Sequence, residues 1–71
     1  MATLMFKTQI ENGQTFNHIW DCNEFAYDEI SSDIIDIDDS VIEAFIDDEE
    51  IDLFDEDINT VSDLQLYCRQ L

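Results

Sequence analysis

Ser40-Val41-Ile42-Glu43-Ala44-Phe45-Ile46-Asp47-Asp48-Glu49-Glu50 is the stretch on which the reading of the whole chain turns. Ser40 followed three positions later by Glu43 has the form of a capping box, in which the hydroxyl accepts from the Glu43 N–H and the carboxylate reaches back. Val41, Ile42, Phe45 and Ile46 then repeat at helical spacing. The stretch therefore predicts a helix over 40–50.

Outward from it, the neighbours are less regular. Ile51-Asp52-Leu53-Phe54 either extends that helix or forms a short strand. Ser62-Asp63-Leu64-Gln65 offers a second cap, followed by Leu64, Tyr67, Cys68 and Leu71 at helical spacing. On the other side, Ala26, Ile30, Ile34 and Ile37 favour a helix over part of 23–37, while Ile34-Ile35-Asp36-Ile37 reads equally as a short strand.

Residues 3–10 and 14–20 read as a β-hairpin closed by Asn12-Gly13, since a two-residue type I′ turn needs positive φ at both central positions. That loop pairs Glu11 with Gln14, Phe6 with Ile19 and Met5 with Trp20. Leu4, Phe6, Ile10 and Ile19 then form a core face. Met5, Phe16 and Trp20, around Lys7 and His18, form a second face to be covered by a helix or used for a homodimer. Two strands alone are marginal in water. The expected fold is α+β: an N-terminal β-hairpin, with or without a third short strand, packed against two or three short helices.

Charge sets the function classes. The 71 residues hold 19 Asp and Glu against two Lys and Arg, a formal net charge of −17, yet 45% are hydrophobic. So apolar a chain is not a disordered acidic tail, and 1–71 is read as a single acidic domain. Residues 1–20 hold one acid, Glu11; residues 21–63 hold the other 18 and neither Lys nor Arg. Solubility of a small domain asks for a net charge of only about 2–8, and a halophile's acids would be spread evenly. No apolar run approaches the 18 residues of a membrane span. The start, MATLMFKTQ, lacks a secretory signal's charged and apolar regions. Cys22 and Cys68 are too few for a disulfide framework and read as free buried thiols in a reducing compartment, with a single terminus-to-middle bridge as the alternative. A cytosolic protein is expected.

The acids form a pattern. Continued back to Asp36, the predicted helix would carry Asp36, Asp39, Glu43, Asp47 and Glu50 on one face. Asp47-Asp48-Glu49-Glu50 and Asp55-Glu56-Asp57 add further clusters. Like charges at such spacings destabilise a helix by about 0.2–0.5 kcal/mol per pair, so an all-acid face is specialised. At a rise of about 1.5 Å per residue the face carries one charge per roughly 5 Å, against about 3.4 Å along one strand of duplex DNA. A Lys/Arg groove shaped for phosphates would accept such a row.

The runs DIIDIDD (33–39) and IDDEEIDLFDED (46–57) resemble those of the small acidic nucleic-acid mimics of phages and mobile elements, the anti-CRISPR and anti-restriction proteins and uracil-DNA glycosylase inhibitors. The resemblance covers 21–63 and rests on composition and patterning. It implies a DNA- or RNA-mimic inhibitor that occupies the basic groove of a CRISPR effector, restriction or other DNA-binding enzyme in the bacterial cytosol. The partner would be that basic protein, with no direct nucleic-acid contact. The alternative is an acidic interaction module, such as a chaperone or antitoxin for a basic protein, that does not compete with nucleic acid.

Other chemistries fit less well. Asp36-x-Asp38-x-Ser40 opens like an EF-hand loop, but Val41 stands where the sharp turn needs Gly and Asp47 where a bidentate Glu is usual. His18 and two separated Cys make no transition-metal set. No cofactor or metal is expected, and no catalytic constellation points to an enzyme.

Overall fold

The computed structural model describes residues 2–30 and 35–70. The chain runs β1 (Thr3–Gln9), β2 (Thr15–Asp21), α1 (Cys22–Tyr27), β3 (Ser40–Ile46), β4 (Glu49–Glu50) and α2 (Val61–Arg69). The fold is α+β: the described residues form a four-stranded antiparallel sheet in the order β2-β1-β3-β4 with two helices.

The hairpin forms where the sequence places it, but its register differs by one residue. Gly13 N–H donates to the Ile10 carbonyl at 2.9 Å and Ile10 N–H to the Gln14 carbonyl at 3.0 Å. Gly13 alone carries positive φ there, at 89°. Glu11, Asn12 and Gly13 thus make a three-residue loop whose last member is left-handed. Asn12 acts through its side chain, accepting from the Gln14 N–H at 2.8 Å.

The pairs are therefore Leu4–Trp20, Met5–Ile19, Phe6–His18 and Thr8–Phe16. A one-residue slip reassigns faces. Phe16, His18 and Trp20 join Leu4, Phe6 and Thr8 on the core side, while Ile19 is 70% exposed. Ile19 is thus not core, and the expected Met5/Phe16/Trp20 surface does not exist, because Met5 lies on the opposite side of the sheet from the other two.

The larger correction is at Ser40–Ile46, which is strand β3 and not a helix. It pairs antiparallel with β1: Leu4–Ile46, Met5–Phe45, Phe6–Ala44 and Lys7–Glu43, then Thr8–Val41 and Gln9–Ser40. Between the last two groups Ile42 is an extra residue, a β-bulge. The bulge lets Val41 and Ala44 both face the core although they are three apart. Their spacing mimics a helical stripe.

The core gathers Leu4, Phe6, Phe25, Ala44, Val61 and Leu64, each at most 3% exposed. The Phe25 ring lies 5.1 Å from Phe6 and 5.3 Å from Trp20. Helix α1 covers only part of 23–37; Asp21 caps it, its Oδ1 accepting from the Asn23 and Glu24 N–H at 3.0 and 3.1 Å. Beyond its end Ile30 and Ile35 are buried; Ile34 lies outside the described residues.

Helix α2 is capped two residues before the expected Ser62. Thr60 and Asp63 form its capping box, and Thr60 makes an isolated bridge with Ser40. Leu71, expected on its stripe, lies outside the described residues. Two polar side chains of α2 satisfy carbonyls around the end of α1. Gln65 Nε2 donates to Phe25 and Asp28 at 3.1 and 2.8 Å, and Arg69 Nε donates to Ala26 at 2.6 Å. Cys22 and Cys68 are both free and buried. Burial, with the hydrogen-bonded Cys22 beside it, pushes the Cys68 thiol up to about 12.

A candidate acidic interface

With 40–46 extended, the carboxylates expected on one helical face separate. Asp36 and Asp39 sit in the turn before β3, where Asp36 N–H donates to Asp39 Oδ2 and Asp38 N–H to Asp36 Oδ1, both at 3.0 Å. Asp47 stands past the far end of the strand, about 20 Å away at a strand rise of about 3.4 Å per residue. That distance also rules out Asp36 and Asp47 as ligands of one calcium ion. Glu43 projects from the middle of β3, paired with Lys7 at 3.7 Å.

What the fold brings together is the other half of the expected set. Asp47 and Asp48 form the β3–β4 turn with φ of 51° and 68°, and Asp47 Oδ1 accepts from the Thr3 N–H at 2.9 Å. Glu49 and Glu50 are strand β4, and both are exposed. Asp52 then caps one helical turn, its Oδ1 accepting from the Phe54 and Asp55 N–H. That turn closes with Ile58 N–H on the Leu53 carbonyl at 2.8 Å and Asp57 N–H on Phe54 at 3.3 Å. Asp57, at φ 57°, takes the left-handed position usual for a glycine in this helix ending. Residues 51–58 are accordingly neither a helix extension nor a strand.

The loop folds back against β4. Asp47, Glu49, Glu50, Asp52 and Glu56 line one depression of about 370 Å³, floored by Ile46, Ile51 and Tyr67. Beside it, Glu43, Glu50 and Asp52 border a second of about 420 Å³ with Ile42, Leu53 and Phe54. Asp48, Asp55 and Asp57 stand exposed nearby. Burial and the charge of Glu56 raise the pKa of the Tyr67 hydroxyl above its ordinary value. The sequence reading missed Asp52, because its capping role appears only once 40–50 is a hairpin. It also missed Phe54, 90% exposed in the middle of the acid loop.

Two kinds of acid emerge. Asp21, Asp28, Asp36, Asp39, Asp47, Asp52 and Asp63 accept hydrogen bonds from backbone N–H or, for Asp28, from the Trp20 indole at 3.1 Å. They are turn and cap residues, a role for which a short carboxylate suits. Asp48, Glu49, Glu50, Asp55, Glu56 and Asp57 hold no such bond and project into solvent. Among the described residues no three His, Cys, Asp or Glu stand together as a metal site, and no helix is long and apolar enough to cross a membrane.

No family model, no curated relative and no solved structure matches the chain.

Proposed function

We propose that the protein is a nucleic-acid-mimic inhibitor that fills the basic groove of a DNA- or RNA-binding protein with the carboxylates of residues 47–57. One observation carries the reading: among the described residues, neither of the chain's two Lys and Arg side chains is given to the carboxylates of 47–57. Lys7 is paired with Glu43 on the outer sheet face. Arg69 is bound to the Ala26 carbonyl and lies 5.6 Å over the Tyr27 ring. The field of Asp48, Glu49, Glu50, Asp55, Glu56 and Asp57 is therefore uncompensated. Self-repulsion on this scale costs stability, and a basic partner would relieve it. The mimicry differs from a helical row. The charges lie on a tight turn, a two-residue strand and a capped loop, a compact cluster around two depressions. The target, a CRISPR, restriction or other nucleic-acid-binding complex, would be met in a bacterial cytosol.

Competition tests it. The immobilised protein is loaded with low-salt bacterial lysate and washed with duplex DNA. Mimicry requires that DNA release the captured protein and that the complex fail to shift DNA in a gel. A ternary complex with DNA would overturn it in favour of an acidic interaction module. Replacing Glu49, Glu50 and Glu56 together with Lys should abolish capture and leave the fold in place, since no side-chain hydrogen bond among the described residues is lost with them.

A further inference from the structure

Both helices pack on one side of the sheet, and no helix among the described residues covers the other. Register places Ile19, Met5, Phe45 and Glu50 side by side in one row across all four strands, because directly paired residues share a face. The next row is Asn17, Lys7 and Glu43. Ile19 is 70% and Met5 40% exposed. Met5, Ile19 and Phe45 line a mainly apolar depression of about 200 Å³, with Lys7 and Glu43 at its side.

We propose that this outer sheet face is a docking surface for a basic protein partner, which seats an apolar side chain on Met5, Ile19 and Phe45 and brings lysine or arginine to Glu50, beside the Lys7–Glu43 pair. The inference rests on the reading that the partner is basic. Charge complementarity selects that occupant. The apolar row ends on Glu50, whose carboxylate is unpaired among the described residues, and it continues at the edge into the acid cluster of β4. A second copy would set another net charge of −17 against this face, within the roughly 8–10 Å over which charges act at physiological salt. The two surfaces do different work. Exposed charge accelerates encounter and fades with salt, whereas apolar contact at the centre of an interface sets how long the complex lasts.

The probe is a short peptide alternating lysine and valine, set against its lysine–serine counterpart and titrated into isotope-labelled protein at low salt. The lysine–valine peptide should move the amide signals of Met5, Ile19 and Phe45. It should bind about tenfold more tightly, a difference of about 1.4 kcal/mol, and Ile19→Ser, at an exposed site, should erase that advantage. Equal binding of both peptides, with shifts confined to 47–57, would overturn the apolar docking surface and leave the acidic interface standing. Failure of both peptides to bind would overturn the two together. Self-association without peptide, abolished by Ile19→Ser, would show a second copy as the occupant and overturn the proposal.

Discussion

The sheet contains two hairpin turns that meet one backbone demand in opposite ways. In the loop after β1 the left-handed position is held by Gly13, at φ 89°. In the loop after β3 it is held twice by aspartate, Asp47 and Asp48, at φ 51° and 68°. Positive φ at both central residues is the mark of a type I′ turn, so that turn lies at Asp-Asp and not at Asn12-Gly13. The difference shows what decides turn type. The first hairpin joins two seven-residue strands whose even-numbered side chains all face the core, and only the three-residue loop aligns Phe16, His18 and Trp20 with Leu4, Phe6 and Thr8. The second ends in a two-residue strand of exposed glutamates. Nothing in β4 has to reach the core, so the turn is free to be tight and acidic.

The strongest way to break the contrast is through the polar pair that only the first hairpin buries. Thr8, fully buried, has its hydroxyl 3.1 Å from His18 Nε2. His18→Leu leaves that hydroxyl without a partner and should cost about 1–3 kcal/mol in urea unfolding. Adding Thr8→Val should recover most of the loss. Acidification probes the same pair. Burial lowers the His18 pKa from 6.5, with the Asp39 carboxylate partly opposing. The folded state therefore favours the neutral ring. Its contribution is complete above pH 6.5 and is lost as pH falls toward the lowered folded value. Unfolding midpoints at pH 7 and pH 5.5 should differ more in the parent than in the double variant; equal differences would deny His18 the role.

The next effect is the turns themselves. No atom lies within 4 Å of a Cβ built on Gly13, so Gly13→Ala meets backbone strain alone and should cost about 1–2 kcal/mol. Asp48→Gly relieves a left-handed aspartate, worth up to about 1–2 kcal/mol, less the roughly 0.4–1 kcal/mol that the freer unfolded chain takes back, and should leave a small net gain. Opposite signs in thermal melts sharpen the comparison. A loss at both positions would mean that the Asp48 side chain supports its turn.

Legibility in the sequence followed the same division. The first hairpin was visible because Gly13 is the only glycine and β-rich segments flank it, though no local rule distinguishes a two- from a three-residue loop. The second was hidden. The Ile42 bulge breaks the alternation of β3, and Ser40 with Glu43 imitates a capping box, although Val, Ile, Phe and Ile within seven residues suit a pleated surface better than a helix. Read as a helix, 40–50 puts Asp36, Asp39, Glu43, Asp47 and Glu50 on one face and leaves Asp55-Glu56-Asp57 as a separate cluster. Their gathering at residues 47–57 depends on the sheet register and on Asp52 capping a turn, which are long-range and context-set facts. The real capping box, Thr60 with Asp63, was missed because Ser62 offered a nearer candidate.

The smallest effect joins the two hairpins. Lys7 of β1 and Glu43 of β3 approach to 3.7 Å with both side chains more than a third exposed. Such a pair contributes little, typically about 0–1 kcal/mol, and its worth here depends on the surrounding field. Lys7→Ala should cost about 0.5 kcal/mol or less, because it removes a contact and also one of the two cations that offset 19 acids. Glu43→Gln removes the same contact while relieving repulsion, so at low salt it should be neutral or slightly stabilising. In a pair acting alone the two variants would cost the same. In a pair dominated by the acidic hairpin they differ in sign, and the difference shrinks as salt screens the field. Chemical unfolding of both variants at low and high ionic strength separates the cases. Equal losses at both salts would mean that the contact itself ties β1 to β3. A salt-sensitive difference would mean that Lys7 works against the whole charge cluster, with Glu43 as its nearest member.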